Sequence, residues 1–554
     1  MHLRMHPSRA TLVALALLGI LGCGGSGQTD AGGPGTGGAA GTTTSPGGSG
    51  GSAVAGTGGL ATGLAGAGSG GGGAAGGGGP AGHGGAVAGV GGGLAGAGGA
   101  TGGTGGHAGG GGSPASGGAG GQSAALGNAS AVFPPPNGTG VCADPQLRIT
   151  FAAGAAPPSI GTTGKIQIFN ASGTAVATVD VAAATTTSTN GGMSFAIQRP
   201  IYVDGNTVVV YLPSRPLAYG QTYYVNVGAG AINSPTGGAF TVSGSNAWRF
   251  TTASAAPAGK SAVSVALDGS APFCSLQGAL DFVPANNTAA VTVSLADGTY
   301  HEIVYFKSKS NVTIQGASRD GTVIEGVNND NMNPGTKARA LIGGDGTNGL
   351  TVTNLTIHNL TPQGGSQAEA LRLESCDKCV VTDATIISLQ DTLLWSGRLY
   401  ARNCLIEGNV DYVWGTGAAY FDTCEIRTIG RTGVIVQARN PASTYGYVFV
   451  DSKITSDAGL TGISLGRIDL TVYPASHVAY VNCQLASGIA PSGWMITAGT
   501  DTSMLRFWEY QSVDAGGQPV DVSKRLAGSK QLTSSQAAMM RDPTVVLAGW
   551  QPPM

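Results

Sequence analysis

The chain has 554 residues, which suffices for two or three domains, and its 27 basic and 29 acidic side chains give a formal net charge of −2. Only 10% of the residues are charged, which argues against a basic surface for nucleic acid or for anionic lipid. Most of the excess of glycine, 98 residues in all, lies before residue 125, where large apolar side chains are too few to form a packed core.

Residues 1–23 have the pattern of an export signal. Arg4 and Arg9 provide a positive start, and the apolar run 12–21 is too short to span a bilayer. The run ends in ILGC, which resembles the lipobox of bacterial lipoproteins, where the cysteine, here Cys23, is lipidated. We therefore expect an exported lipoprotein of the outer membrane or cell surface, whose only membrane contact is the lipid. An ordinary cleaved signal peptide, and hence a secreted protein, is the alternative.

Residues 24–135 consist mainly of Gly, Ala, Ser and Thr and carry almost no charge. A flexible coil of this composition and length reaches roughly 50–60 Å from end to end. This segment is predicted to be a disordered tether that holds folded domains away from an anchored Cys23.

Residues 140–253 predict an antiparallel β-sandwich. Short β-rich runs alternate with Gly, Pro, Asn and Ser; they are LRITF, GKIQIFN, AVATVDV, MSFAIQ, TVVVYLP, TYYVNVG and AWRFTT. The segment resembles the bacterial Ig-like modules found beside surface enzymes, and a spacer is the favoured role. Carbohydrate binding by Tyr223, Tyr224 or Trp248 is the alternative.

From residue 260 the chain has the repeats of a β-solenoid. The helical pattern CSLQGALDF is expected to plug the open end of the solenoid. The repeated units are NVTIQG, NLTIHN, DATIIS, NCLIEG, TCEIRT, DSKITS and NCQLAS, with small or apolar anchors at Val312, Leu355, Ala384, Cys404, Cys424, Ser452 and Cys483. The later anchors are 29, 20, 20, 28 and 31 residues apart, about one coil of a parallel β-helix.

Two carboxylates occupy matched positions in this repeat. Asp391 and Asp411 each follow an anchor, Ala384 or Cys404, by seven residues. Stacked strands lie about 4.7–4.9 Å apart, so the two side chains should lie side by side. Because two close carboxylates cannot both ionise easily, one pKa rises and the other falls. Such a pair can provide a proton donor and an anionic nucleophile.

Several segments, in order, resemble signature motifs of the pectin methylesterases: GTYHE, QAEALR, QDTLLW, GNVDYVWG and SLGR. The resemblance covers residues 260–552. It implies an all-β architecture in which a right-handed parallel β-helix follows the Ig-like sandwich. It also implies a monomeric esterase that needs no metal or cofactor and hydrolyses the methyl esters of galacturonan.

The resemblance also assigns roles to residues. Asp411 matches the nucleophile, and Asp391 matches the acid that protonates methanol and then activates water. Gln367 and Gln390 match the glutamines that stabilise the oxyanion. Arg467 matches the arginine that pairs with the nucleophile.

The groove that would bind sugar departs from the family pattern. Ile468 and Asp469 follow Arg467 where Pro-Trp is usual. The candidates for substrate contact are Trp414, Tyr412, Trp395 and Gln437. These departures affect residues that would contact the sugar and not the residues assigned to catalysis. They therefore leave the identity of the ester substrate undecided, while the predicted reaction is unchanged.

The cysteines agree with export. Cys404 and Cys424 are anchors on adjacent coils and are predicted to form a disulfide. The CxxC of Cys376 and Cys379 is typical of redox or metal pairs, but without a second CxxC or a nearby set of histidines no zinc site is expected. Pairing of the remaining cysteines, Cys142, Cys274 and Cys483, stays open.

Other functions remain as alternatives. A polysaccharide lyase would share the β-helix but would need acidic Ca²⁺ ligands and a basic Arg or Lys, and no such cluster accompanies Asp391 and Asp411. A surface binding protein would use the groove without turnover. A lipoprotein esterase or thioesterase of the same fold could act on a substrate other than pectin, which the missing Pro-Trp would suit.

Overall fold

The computed structural model of the chain describes residues 124–154 and 156–553. The predicted export signal, Cys23 and most of the Gly-rich segment lie outside these residues. Within them, no helix is both long enough and apolar enough to cross a bilayer.

The N-terminal part is a β-sandwich, as predicted. Two five-stranded sheets, β1-β2-β4-β11-β10 and β3-β14-β12-β6-β7, face each other, and β8–β9 and β13–β5 form two further pairs. All pairs are antiparallel except β3 with β14. The strands are β1 Ala124–Leu126, β2 Ala129–Phe133, β3 Gly138–Val141, β4 Leu147–Thr150, β5 Ser159–Ile160, β6 Lys165–Asn170, β7 Ala175–Asp180, β8 Thr185–Asn190, β9 Met193–Gln198, β10 Ile201–Asp204, β11 Thr207–Val210, β12 Thr222–Val227, β13 Ile232–Asn233 and β14 Arg249–Thr252.

The sandwich differs from the expectation in its start and in its aromatic residues. It begins at β1 and β2, before residue 140, because β2 pairs with β4. Trp248 is fully buried and donates from Nε1 to the carbonyl of Pro134 at 2.7 Å. Tyr223 is 4% exposed, and Tyr224 stacks on Phe169. Trp248 and Tyr223 are therefore core residues, and the predicted alternative of a sugar site built on them is wrong.

The C-terminal part is a parallel β-helix, again as predicted. Sheet 1 has eleven strands (β15-β16-β19-β22-β25-β28-β31-β34-β37-β40-β41), sheet 2 has eight (β17-β20-β23-β26-β29-β32-β35-β38) and sheet 3 has eight (β18-β21-β24-β27-β30-β33-β36-β39). The strands are β15 Ala262–Val265, β16 Val291–Leu295, β17 Gly298–His301, β18 Val304–Lys307, β19 Val312–Gly316, β20 Thr322–Gly326, β21 Ile342–Asp345, β22 Thr351–Thr353, β23 Thr356–Asn359, β24 Leu371–Glu374, β25 Cys379–Thr382, β26 Thr385–Ile387, β27 Leu393–Trp395, β28 Arg398–Arg402, β29 Leu405–Gly408, β30 Val410–Gly415, β31 Ala418–Asp422, β32 Glu425–Thr428, β33 Val434–Ala438, β34 Tyr447–Val450, β35 Lys453–Ser456, β36 Ser464–Asp469, β37 His477–Val481, β38 Gln484–Leu485, β39 Trp494–Ala498, β40 Arg506–Tyr510 and β41 Lys530–Gln531. One coil takes a strand from each sheet in turn.

Six of the seven predicted anchors form one buried row that enters sheet 2. Each follows a residue in the left-handed region, with φ between 49° and 57°; these are Asn354, Asp383, Asn403, Thr423, Asp451 and Asn482. Asn and Asp tolerate this conformation better than other residues with a side chain, which explains the recurring Asn or Asp before the anchors. The seventh anchor, Val312, was placed wrongly, because NVTIQG forms β19 in sheet 1.

Three helices cover surfaces of the β-helix. Helix α1 (Leu276–Phe282) begins at the cap Ser275 and buries Leu276, Ala279 and Leu280 against the first coil, as the plug prediction required. Helices α2 (Ser534–Met540) and α3 (Pro543–Val546) pack against the outer side of sheet 1.

The two domains are joined by more than the linker. A disulfide connects Cys142 of the sandwich to Cys274 beside helix α1. Strand β9 also binds a loop of the β-helix, because Ala196 and Asn333 exchange two hydrogen bonds of 2.8 Å. The sandwich is therefore docked onto the first coils and does not only act as a spacer.

The predicted disulfide between Cys404 and Cys424 is wrong. The two residues are adjacent in register, since Leu405 pairs with Glu425, yet both are buried free thiols. In-register parallel strands hold equivalent Cβ atoms about 4.8 Å apart, whereas a disulfide requires about 3.8 Å. Both sulfurs donate to backbone carbonyls instead.

The CxxC is a disulfide between Cys376 and Cys379, both buried, so these sulfurs form no metal site. Among the described residues, one group of three potential metal ligands lies close together: Cys142, Asp144 and Cys274. Its two sulfurs are bonded to each other, which leaves one carboxylate and no metal site.

Candidate active site

The two predicted carboxylates lie next to each other at the corner between sheets 2 and 3. Gln390 bridges Val410 in parallel, and the Asp391 amide donates to the Val410 carbonyl at 3.0 Å. Both aspartates adopt the left-handed conformation, with φ of 65° at Asp391 and 49° at Asp411. The matched offset from two anchors therefore does correspond to matched places on neighbouring coils.

Asp411 is held by Arg467, as the motif SLGR suggested. Arg467 donates from Nε to Oδ1 at 2.6 Å and from Nη2 to Oδ2 at 2.5 Å. This two-point geometry is the strongest form of an arginine–carboxylate contact. The carboxylate is 4% exposed, and its hydrogen bonds raise the pKa of Arg467. The ion pair fixes the orientation of the Asp411 carboxylate.

Asp391 has the opposite electrostatic setting. Burial raises its pKa well above the usual range, and the nearby charges of Glu369 and Asp411 raise it further, while Arg339 and Arg439 lower it. The side chain is 6% exposed. Burial and the neighbouring carboxylates thus favour the protonated form of Asp391 more than is usual for an aspartate.

Two residues that the sequence analysis missed complete this corner. Arg339 donates from Nη2 to Asp391 Oδ2 at 2.8 Å and also binds Glu369, which is fully buried. Arg339, Glu369, Asp391 and Asp411 belong to four successive coils and enter the same corner just before or at the start of strands β21, β24, β27 and β30. Glu369 lies inside the quoted motif QAEALR, between two alanines. An acidic residue between apolar neighbours indicates a buried carboxylate that needs a cation as its partner, and this pattern could have revealed the ion pair.

One row of sheet 3 faces outward and forms the floor of the site. Paired register places Arg372, Leu394, Trp414, Gln437 and Arg467 in this row. Trp414 and Gln437, two of the candidates for substrate contact, therefore lie in the same row as Arg467. Gln437 is half-buried, whereas Trp414 is only 5% exposed.

Arginines cover the ring of Trp414. The guanidinium of Arg439 lies 5.0 Å and that of Arg339 5.8 Å from the ring centre. The indole Nε1 donates to the Asp391 carbonyl at 3.4 Å. The ring therefore packs beside Asp391 and these two arginines, and little of it is open to a sugar.

The structure contradicts two predicted substrate contacts. Trp395 is 1% exposed and packs inside the β-helix against Phe421 and Tyr447. Tyr412 is fully buried, and its hydroxyl hydrogen-bonds Thr428. Both residues belong to the interior core. Trp395 points inward because side chains alternate along a strand and its neighbour Leu394 lies in the outward row. At Tyr412 the register shift between Val410 and Val413 interrupts this alternation and turns the ring inward.

The glutamines border the site. The Ala368 amide donates to the Gln390 carbonyl at 3.2 Å, so the segments that carry Gln367 and Gln390 lie side by side. Both side chains are half-buried. Oε1 of Gln367 accepts from Ser366 at 2.7 Å, which leaves its amide N–H groups as donors.

Comparison with known proteins identifies this arrangement. Residues 262–546 match the family model described as Pectinesterase, and residues 127–252 match that of a bacterial Ig-like domain. This chain belongs to the pectinesterase family. It is an enzyme of the pectinesterase type, with an Ig-like domain before the catalytic domain.

Individual relatives agree with the family model. Pectinesterase 31 of Arabidopsis thaliana is 29% identical over 289 residues, covering 50% of this chain and 89% of its own. Pectinesterase 2 of Olea europaea is 31% identical over 281 residues, covering 49% and 74%. Among solved structures, the pectin methylesterase from carrot is 25% identical with a TM-score of 0.47, covering 53% of this chain and 95% of its own.

Within this pectinesterase-family chain, the residues that depart from the quoted motifs have visible roles. Ile468 is buried, and Asp469 accepts hydrogen bonds from Thr471 at the edge of the groove. Asn409 of the segment GNVDYVWG also has a structural contact, because it donates to Gln363 at 2.8 Å in the loop that precedes Gln367.

Proposed function

We propose that this protein hydrolyses the methyl esters of galacturonan, with Asp411 as the nucleophile and Asp391 as the acid and base. The observation that supports it most directly is the contrast at one corner. Asp411 is an anion held at two points by Arg467, and beside it Asp391 has a raised pKa. Ester hydrolysis through a carboxylate needs this combination of anion and proton donor.

In the first half-reaction, a carboxylate oxygen of Asp411 attacks the ester carbonyl carbon. The carbonyl oxygen becomes negative and accepts hydrogen bonds from the amides of Gln367 and Gln390, which donate without giving up a proton. The bond from carbon to the methoxy oxygen then breaks, and Asp391 transfers its proton to that oxygen. Methanol leaves, and an anhydride joins the galacturonyl group to Asp411.

In the second half-reaction, Asp391 is ionised and accepts a proton from water. The hydroxide so formed attacks the galacturonyl carbon of the anhydride, and Asp411 leaves as a carboxylate paired with Arg467. Asp391 has regained its proton, and the product is released as a galacturonic acid, whose carboxyl group then loses its proton to the solvent. Asp391 therefore donates a proton in the first half-reaction and accepts one in the second.

The test is methanol release by the full chain from highly esterified pectin. Methanol should appear together with one new carboxyl group per ester, and chelation of divalent cations should not change the rate. A product with a new carbon–carbon double bond and no methanol would favour a lyase. Binding of pectin without either product would favour a surface binding protein.

A second candidate is an esterase or thioesterase that acts on a different substrate. Asp469 favours it, because this carboxylate stands two residues from Arg467 at the groove, where the resemblance has a tryptophan that stacks on sugar. A short acyl ester and a short acyl thioester serve as control substrates. Turnover of these without methanol release from pectin would favour the second candidate.

We also propose that the protein is an exported lipoprotein anchored through Cys23. The pattern ILGC after a short apolar run supports this proposal. Cys23→Ser should move the protein from the membrane fraction to the soluble fraction and leave the kinetics unchanged. Unchanged fractionation of this variant would contradict lipidation at Cys23.

A further inference from the structure

A buried ion pair lies directly behind the predicted acid Asp391. Arg339 is 7% exposed and Glu369 is fully buried. Arg339 donates from Nε to both oxygens of Glu369 at 3.0 Å, and from Nη2 to Oε1 at 2.8 Å. The same Nη2 donates to Asp391 Oδ2 at 2.8 Å. One guanidinium is thus shared by two carboxyl groups.

Arg339 alone would oppose the role of Asp391 as an acid. A cation at hydrogen-bond distance stabilises the ionised carboxylate and lowers its pKa by about 1–3 units. A general acid must keep its proton until the leaving group departs. The site therefore needs something that offsets the charge of Arg339.

Glu369 meets this need through its geometry. Both of its oxygens accept from Arg339, and this contact with a guanidinium favours the anion. Burial raises the pKa of Glu369, whereas the charge and hydrogen bonds of Arg339 lower it. Asp391 differs, because only Oδ2 accepts from Arg339 and Oδ1 accepts no hydrogen bond from the described residues. Since a guanidinium donates and cannot accept, the proton of Asp391 belongs on Oδ1.

We propose that Glu369 is a positioning residue that offsets the charge of Arg339, so that Arg339 orients Asp391 as a hydrogen-bond donor while Oδ1 keeps the transferable proton. This inference rests on the proposed function of Asp391 as the acid. Glu369 acts through Arg339 and does not touch the substrate.

The other charges around Asp391 are compatible with this role. Asp411, bound by Arg467, adds a negative charge from the next coil, and Arg439 after β33 adds a positive one. Asp330 also contacts Arg339, at 3.4 Å. Burial and the charges of Glu369 and Asp411 outweigh both arginines, so that the pKa of Asp391 is raised.

The main test is Glu369→Gln in the full chain, assayed by methanol release across pH. With the charge of Arg339 no longer offset, Asp391 should ionise earlier, and the alkaline limb of kcat/KM should move to lower pH by about 1–3 units. At neutral pH the rate should fall roughly 10–10³-fold, and it should recover on acidification. A uniform loss with an unmoved limb would overturn the proposal.

Two variants act as controls. Glu369→Asp keeps the charge and should keep the limb near its original place. Glu374→Gln makes the same chemical change beside Arg372, another arginine of sheet 3, and should not move the limb. A shift of similar size in Glu374→Gln would show a general charge effect and contradict the specific role.

Arg339→Met provides a test with the opposite sign if Glu369→Gln does not fold. Removing the cation leaves Asp391 beside an anion, so the alkaline limb should move to higher pH. The double variant Arg339→Met with Glu369→Gln removes both charges and should have its limb close to that of the unmodified enzyme. A limb that stays in place in Arg339→Met would contradict the proposal.

A measurement without substrate separates this inference from the proposed function. Difference infrared spectra against Asp391→Asn report whether the Asp391 carboxyl is protonated. At neutral pH we expect a protonated carboxyl in the unmodified protein and a carboxylate in Glu369→Gln. If the enzyme releases no methanol from pectin, the proposed substrate fails, and the spectra still decide whether Glu369 controls Asp391.

Discussion

Two of the regions that bury carboxylates satisfy them by different donors. At the domain junction, Asp144 accepts from the amides of Cys274 and Ser275 at 3.0 and 2.9 Å, and Glu302 accepts from those of Leu276 and Gln277 at 2.8 and 3.0 Å. At the groove, Asp391 and Asp411 accept from the side chains of Arg339 and Arg467.

The difference teaches how a structural carboxylate can be told from a reactive one. Backbone amides at the start of helix α1 are fixed and need an acceptor, so Asp144 and Glu302 complete the fold. Arginine side chains carry full charges and can be arranged so that one carboxylate is an anion and its neighbour holds a proton. Neither burial nor an arginine partner marks an active site by itself, since Glu509 is buried and bound by Arg525. At the groove, two such carboxylates lie side by side.

The largest expected effect comes from Asp411→Asn. A neutral amide cannot attack the ester, so the rate of methanol release should fall by roughly 10⁴–10⁶-fold. Asp383→Asn is the matched control, because Asp383 also lies in a left-handed turn, with φ of 52°, and Asn354 and Asn403 occupy equivalent turns. Loss of activity in the control would show that the turn, and not the nucleophile, was disturbed.

Asp391→Asn should have the next largest effect. Attack by Asp411 remains possible, but the leaving alkoxide is no longer protonated, which costs roughly 10²–10⁴-fold. The loss should shrink for a nitrophenyl ester, whose leaving group needs no proton. Equal losses on both esters would contradict the division of roles.

The same variant should change stability with pH. Because the pKa of Asp391 is raised by folding, its stabilising contribution is complete below the pKa of the unfolded chain and disappears as pH rises through the higher folded value. Asn does not titrate. Asp391→Asn should therefore gain thermal stability relative to the unmodified enzyme as pH rises, which melting curves at several pH values would measure.

Replacing Cys142 and Cys274 by serine should affect stability more than activity. This disulfide closes a separation of 132 residues, for which the chain-entropy model gives up to about 5 kcal/mol. The control is the pair Cys376 and Cys379, which spans three positions and should lose much less. Melting temperatures under non-reducing conditions would compare them, and equal losses would contradict the entropic account.

Glu302→Gln should have the smallest effect on the enzyme. It tests a carboxylate that is bound by backbone amides and not by arginine. Burial raises the pKa of Glu302 to about 7, so its contribution to stability is present below about 4.5 and is lost as pH rises through about 7. The variant should therefore gain up to about 3 kcal/mol relative to the unmodified enzyme across this range. A difference in melting temperature that does not change with pH would contradict the raised pKa.

The fold and the adjacency of the two carboxylates could be predicted because both depend on the repeat. The anchors recur once per coil, and an equal offset from two anchors carried Asp391 and Asp411 to the same corner. The same spacing would have shown that Trp395 is not a substrate contact. The residue 20 positions before Trp414 is Leu394, and Leu394 is the residue that pairs with Trp414 in the outward row. Alternation then requires Trp395 to point inward.

Other features could not be read from spacing. Arg339 lies 52 residues before Asp391, in an irregular loop without periodicity, and reaches it only because successive coils stack. The free thiols of Cys404 and Cys424 depend on a difference of about 1 Å between strand spacing and disulfide geometry. Docking of the sandwich through Asn333 depends on contacts between domains that no local pattern encodes.

The hydrogen bonds between Ala196 and Asn333 affect which part of this protein can be produced separately. Asn333 belongs to the same loop, between β20 and β21, that carries Arg339 toward the groove. A fragment that starts at residue 262, where the family match begins, would have Cys274 as an unpaired thiol and the loop of Arg339 without the hydrogen bonds from Ala196. Exchange of the Ig-like domain for another module would remove the same contacts.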